Sequence, residues 1–143
     1  MRAYIEPYLR DVMRNVGVMS HFCVNEYGVS AERYSSLFAR SEVARQISQG
    51  NPRYLSGLSG REMADMLMEN EAESVRREGM TSCYRVSPEY WAGWALAYCH
   101  WTFGKSFEEM YAAGQTYERV LSMYHPMHEA DVSKVAEALQ MKN

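Results

Sequence analysis

Tyr90–Gly104 reads YWAGWALAYCHWTFG: all three tryptophans and two of the eleven tyrosines fall in fifteen residues that carry no Asp, Glu, Lys or Arg. Such a run is a membrane anchor, a stacking platform or the inside of a soluble core. A crossing helix needs roughly 20 apolar residues, so this run is too short, and His100 lies within it. Stacking against nucleic acid needs aromatics interleaved with basic side chains, and none occurs before Lys105. What remains is a helix buried in protein. At 100° per residue, Tyr90, Trp101, Trp94, Tyr98 and Trp91 share an arc of about 100°, while Ala92, Ala95 and Cys99, then Gly93 and Ala97, form two sectors of small residues. Small residues let a second helix approach closely.

The ends of that helix are written in the sequence. Ser87 is placed to cap it, Pro88 takes the first helical position, where a missing N–H costs nothing, and Gly104 closes it. The same punctuation recurs along the chain. A first helix is expected from about Ala3 to Tyr27, with Pro7 in its first turn, a possible loosening at Gly17 and a stop at Gly28. Ser30 and Ser41 are placed to cap two short helices, AERYSSLFAR and EVARQISQ, the second ended by Gly50. Asn51–Pro52 opens a single turn. Ser59–Glu62, SGRE, is a capping box, and Met63, Met66, Leu67 and Val75 predict one apolar face on a helix extending towards Gly79. Gly79–Val86 has no helical period. Three short helices are expected after Gly104, near Phe107–Ala112, Thr116–Tyr124 and Asp131–Met141. The fold class is therefore all-α, a single compact domain over residues 1–143 with six to eight helices around the aromatic one.

Length and composition agree. A chain of 143 residues buries roughly two-thirds of its surface and needs no metal or disulfide staple. Hydrophobic residues are 47% and charged residues 23%, which excludes long disorder. Cys23, Cys83 and Cys99 show no metal spacing, and an odd count suits a reducing compartment. Glu6, Arg10 and Asp11 interrupt what an export signal would need as its apolar core, so the expected location is the cytoplasm, with no membrane attachment.

The net charge of -3 disfavours a general polyanion binder, but its distribution is uneven. Between Gly28 and Arg61, Arg33, Arg40, Arg45, Arg53 and Arg61 face only Glu32 and Glu42. With Arg76 and Arg77 these arginines are the candidate contacts for another protein. The stretch SAERYSSLFARSEVARQISQG, with Arg33, Arg40 and Arg45, also has the size of a helix-turn-helix, though its presumed recognition helix holds only Arg45 and Gln46 as good readers of base edges and the whole protein is acidic, so nucleic acid is a minor reading.

Two constellations suggest chemistry. In YHPMHEAD, His125, His128, Glu129 and Asp131 offer four possible ligands within seven residues, enough for zinc or a non-haem iron, although Pro126 and the spacing depart from the zinc-protease helix patterns. The aromatic helix offers Trp91, Trp94, Tyr98, His100 and Trp101 as the lining of a ligand pocket. Cys99 beside His100 is adjacency without geometry, since helical neighbours point about 100° apart. No phosphate loop or serine elbow is present, no catalytic residue stands out and no cofactor is expected.

The motifs of the C-terminal half resemble those of a family of uncharacterised small all-helical bacterial proteins: Y-W-x-G-W-x-L-A-Y-x-x-W on Tyr90, Trp91, Gly93, Trp94, Leu96, Ala97, Tyr98 and Trp101, G-x-S-F on Gly104, Ser106 and Phe107, and Y-x-x-x-H-E-A-D on Tyr124, His128, Glu129, Ala130 and Asp131. SEVARQISQGNPRYLSGLSGREMADML is similar to members of the same group. The resemblance implies genes beside toxin–antitoxin-like or mobile-element cassettes, hence a partner encoded nearby, and implies no catalytic residue. The expected function is a non-enzymatic interaction module, an antitoxin, regulator or inhibitor, with self-association also possible. The alternative is a small metal-dependent enzyme or ligand-binding protein centred on His125, His128, Glu129 and Asp131.

Overall fold

The computed structural model describes residues 2–69 and 87–141, and among these every regular element is a helix. A 3-10 turn at Glu6–Tyr8 leads into α1 (Leu9–His21), which passes unbroken into a π-helical turn at Phe22–Glu26. Then come α2 (Ala31–Ala39), α3 (Glu42–Ser48), a second π-helical turn (Arg53–Gly57) and α4 (Gly60–Met68). The remaining helices are α5 (Pro88–Phe103), α6 (Phe107–Ala112), α7 (Tyr117–Leu121), α8 (Tyr124–Met127) and α9 (Val132–Gln140). The expected extension of α4 through Val75 to Gly79 and the irregular stretch up to Val86 lie outside the described residues.

The caps act as their residue types dictate. Ser30, Ser41, Ser87 and Thr116 each accept the backbone N–H three residues on, and Ser59–Glu62 and Ser106–Glu109 form reciprocal capping boxes. Gly28 and Gly104 take φ of 82° and 66°, the left-handed stop that a side chain resists. Some details differ from expectation: the first helix, expected from Ala3, becomes α-helical only at Leu9, after the 3-10 turn. The helix expected over Thr116–Tyr124 is two helices, divided at Ser122–Met123. Pro126 sits within the single turn of α8, where its nitrogen owes no hydrogen bond.

α1 and α5 are the central pair, and glycine decides how close they come. A Cβ at Gly93 would stand 2.3 Å from Ser20 Oγ and 2.6 Å from the Val16 carbonyl oxygen. One at Gly17 would stand 2.8 Å from the Tyr90 ring. Gly17 therefore does not loosen α1, which is continuous through it; it is the seat for Tyr90. The crossing sets Gly93 against Val16 and Ser20 of α1, and Ala92, Leu96, Ala97 and Cys99 of α5 are buried with it. Of the large aromatic side, Trp91 and Trp101 are buried, while Tyr90, Trp94 and Tyr98 are half-buried. Core contacts favour close backbones, and aromatics with polar tips do better where one end reaches an acceptor or water.

Around this pair a single core is closed by Val12, Val16 and Met19 of α1, Tyr34 and Phe38 of α2, Ile47 of α3, Met63 of α4, Phe107 of α6, Tyr117 of α7 and Leu139 of α9. On α4 the apolar face is Gly60, Met63, Ala64 and Met68. Met66, expected on that face, is exposed, because the i, i+3, i+4, i+8 stripe runs past it. No described helix is long and apolar enough to cross a membrane.

Candidate functional site

Histidine is the natural place to look for chemistry, and two of the four are inside the protein. The last turn of α1 carries His21 to the N-terminus of α5, where its Nδ1 lies 2.9 Å from Ser87 Oγ and 3.1 Å from Asn25 Nδ2. Asn25 Nδ2 also donates to Glu89 Oε1 at 2.8 Å. An amide NH2 only donates, so His21 Nδ1 is an acceptor and carries no proton. Burial holds the imidazole below its usual pKa, and the Glu89 carboxylate pulls the other way. A basic nitrogen facing a serine hydroxyl is the geometry of a nucleophile and its base. Here the hydroxyl also accepts the Tyr90 N–H as the cap of α5. The contact fastens α1 to α5.

His100 is the other. Its Nε2 lies 3.0 Å from Ser48 Oγ, its ring stacks on Phe107 at 3.9 Å, and Tyr4 lies 6.5 Å away. Ser48 Oγ also accepts the Phe107 N–H at 3.0 Å. Burial pushes the His100 pKa down to about 4. Its Nδ1 and the Tyr4 hydroxyl are buried with no hydrogen-bond partner. His100 is thus a neutral core histidine joining α3, α5 and α6.

The other proposed pocket residues disperse. Trp101 Nε1 donates to the Tyr4 carbonyl at 2.9 Å beneath the Arg2 guanidinium, 3.9 Å from the ring. Trp91 meets Tyr124 edge-on at 5.6 Å, and Trp94 and Tyr98 pack on the edge of the core. Cys99 is buried, and burial raises its thiol to about 12.

YHPMHEAD forms a junction. His128 Nδ1 donates to the Tyr124 carbonyl at 2.7 Å and its ring stacks on Tyr124 at 4.2 Å, so that Trp91, Tyr124 and His128 pack in series. Glu129 Oε1 lies 3.7 Å from His128 Nε2. His125 meets the edge of Tyr124, and Asp131 caps α9 through the Ser133 N–H. Among the described residues no three His, Cys, Asp or Glu side chains converge as a metal ion requires.

The arginines do not form one patch. Arg33 lies on the first turn of α2, Arg53 on the second π-helical turn, and Arg61 stands 5.3 Å over the Phe22 ring. Arg76 and Arg77 lie outside the described residues. Arg45 pairs with Glu42, which also accepts from Gln46, so both expected readers of base edges are occupied. The Arg40 side chain makes no hydrogen bond or ion pair among the described residues; its backbone N–H donates to the Phe38 carbonyl.

Arg40 does mark a place where two clefts meet, at the α2–α3 corner. One, of about 240 Å³, lies between α3 and α6 and is walled by Arg40, Arg45, Ser48 and Phe107. The other, of about 420 Å³, lies between the corner and the end of α4, with Leu37, Met66 and Leu67 as its apolar lining and Arg40, Glu42 and Glu69 around them. Neither includes Trp91, Trp94, Tyr98, His100 or Trp101. The serine–histidine contacts and the meeting of this corner with the end of α4 escape a reading of sequence, since each joins residues far apart in the chain. No protein-family model, curated protein or solved structure matches the chain, so these surfaces are read from their own geometry.

Proposed function

We propose that the protein is a non-enzymatic interaction module of the cytoplasm whose contact surface is the α2–α3 corner together with the end of α4. The observation that carries this is Arg40, exposed, unpartnered among the described residues, and present in the walls of both clefts. Beside it Leu37, Leu67 and the exposed Met66 form a small apolar centre with charged residues at its edge. An apolar middle with a polar rim, including arginine, is how protein contact surfaces are built. Both buried histidines, by contrast, are spent on holding helices together. The motif resemblance adds the setting, an antitoxin, regulator or inhibitor acting on a partner encoded nearby.

The test is co-purification with the products of adjacent genes, using the wild type, Arg40→Glu and Met66→Asp. Capture by the wild type and loss in both variants, with unchanged circular dichroism, supports the reading. Capture that survives both substitutions moves the contact elsewhere and overturns this surface.

A further inference from the structure

Resting on the reading of this corner as a contact surface, we infer that the groove between the α2–α3 corner and the end of α4 is filled by the same groove of a second copy of the chain. Its two sides carry opposite charge. The α2–α3 side contributes Leu37 and Arg40, and the α4 side contributes Met66, Leu67 and Glu69. Glu42, also in the lining, is neutralised by Arg45 and hydrogen-bonded by Gln46. What is left is one cation and one anion, each exposed, neither with a hydrogen bond or ion pair through its side chain among the described residues.

A purely acidic partner satisfies Arg40 and is repelled by Glu69; a purely basic one meets the reverse problem. A copy of the same surface satisfies both at once. About a twofold axis residue i meets j and j meets i, so Arg40 of each chain faces Glu69 of the other while Met66 and Leu67 pack near the axis. Arginine suits this because its guanidinium takes a carboxylate bidentately. Met66 suits it as well, being flexible enough to adapt to its own image. The other exposed large apolar side chains among the described residues, Ile5 and Met141, lie near the chain ends and outside this groove.

Sedimentation velocity on the purified full chain over a wide concentration range is the test, with thermal melts to show that each variant folds. The wild type is expected to be dimeric. Arg40→Glu and Glu69→Arg each place like charges across the axis and raise the dissociation constant at least about tenfold. A one-to-one mixture of the two variants restores a dimer, since each then supplies the charge its partner lacks. Met66→Asp is monomeric. A monomeric wild type, a dimer indifferent to both charge reversals, or a mixture that fails to re-associate each overturns the inference. If the wild type is monomeric yet captures a gene neighbour's product through Met66, the second copy is wrong and the interaction surface stands. If it dimerises and captures nothing, the second copy stands and the neighbour-encoded partner falls.

Discussion

Gly93 of α5 lies so close to Ser20 of α1 that a Cβ at position 93 would stand 2.3 Å from Ser20 Oγ, and that hydroxyl is itself pinned by the Val16 carbonyl and the Tyr34 hydroxyl, each at 2.8 Å. The central crossing therefore has no slack. Gly93→Ala is expected to lower the thermal midpoint, at an overpacking cost of about 1–3 kcal/mol. Adding Ser20→Ala recovers only part of this, because the Val16 carbonyl at 2.6 Å cannot be removed. A midpoint unchanged by Gly93→Ala contradicts this packing.

The depressed pKa of His100 has a definite sign. The unfolded chain protonates near 6.5 and the folded one only near 4. The unfolded state thus binds more protons between those values. The stability is complete above the unfolded pKa and is lost as pH falls from about 6.5 to about 4, by about 3 kcal/mol. His100→Phe should flatten that acid limb in urea titrations at several pH values. A residual slope of the same sign is expected from His21, whose pKa burial also lowers. An equally steep limb in the variant rules out His100 as its source.

Ser87 and Ser106 both cap helices, but only Ser87 also meets a buried histidine. Ser106→Ala should cost about 1 kcal/mol, the usual value of a cap. Ser87→Ala should cost about 1 kcal/mol more, because His21 Nδ1 loses a partner inside the protein. Chemical denaturation of the two variants side by side decides it, and equal losses show that the His21 contact contributes nothing.

Trp101 ties the N-terminal segment down through the Tyr4 carbonyl. Trp101→Phe keeps an aromatic ring, though a smaller one, and removes the donor, so hydrogen exchange should quicken over residues 2–8 with little change in α5. Uniform acceleration across the protein instead marks Trp101 as a global packing residue.

His128 spends Nδ1 on the Tyr124 carbonyl, and Asp131 spends its carboxylate on the cap of α9. A chelator should therefore leave the melting temperature of the purified protein unchanged, and added zinc should not raise it. A drop of several degrees on chelation restores the metal reading of this cluster.

The helix boundaries are legible in the chain because caps are local. Ser30, Ser41, Ser59, Ser87 and Ser106 each reach a backbone N–H three residues on, so residue type and spacing suffice. The same holds for Gly28 and Gly104, whose left-handed backbone announces a stop. The apolar character of Tyr90–Gly104 likewise marks α5 as a helix covered on most sides. Which side faces α1 is not local. A helical wheel ranks the aromatic arc as the largest apolar payload, yet the closest contact goes to Gly93, because the free energy of the crossing depends on how near two backbones come. His21 and Ser87 are 66 residues apart and meet only because that crossing brings the end of α1 to the start of α5. The groove at Arg40 and Glu69 has the same origin: helices separated in sequence are set side by side, leaving two charges and a methionine on the surface they share.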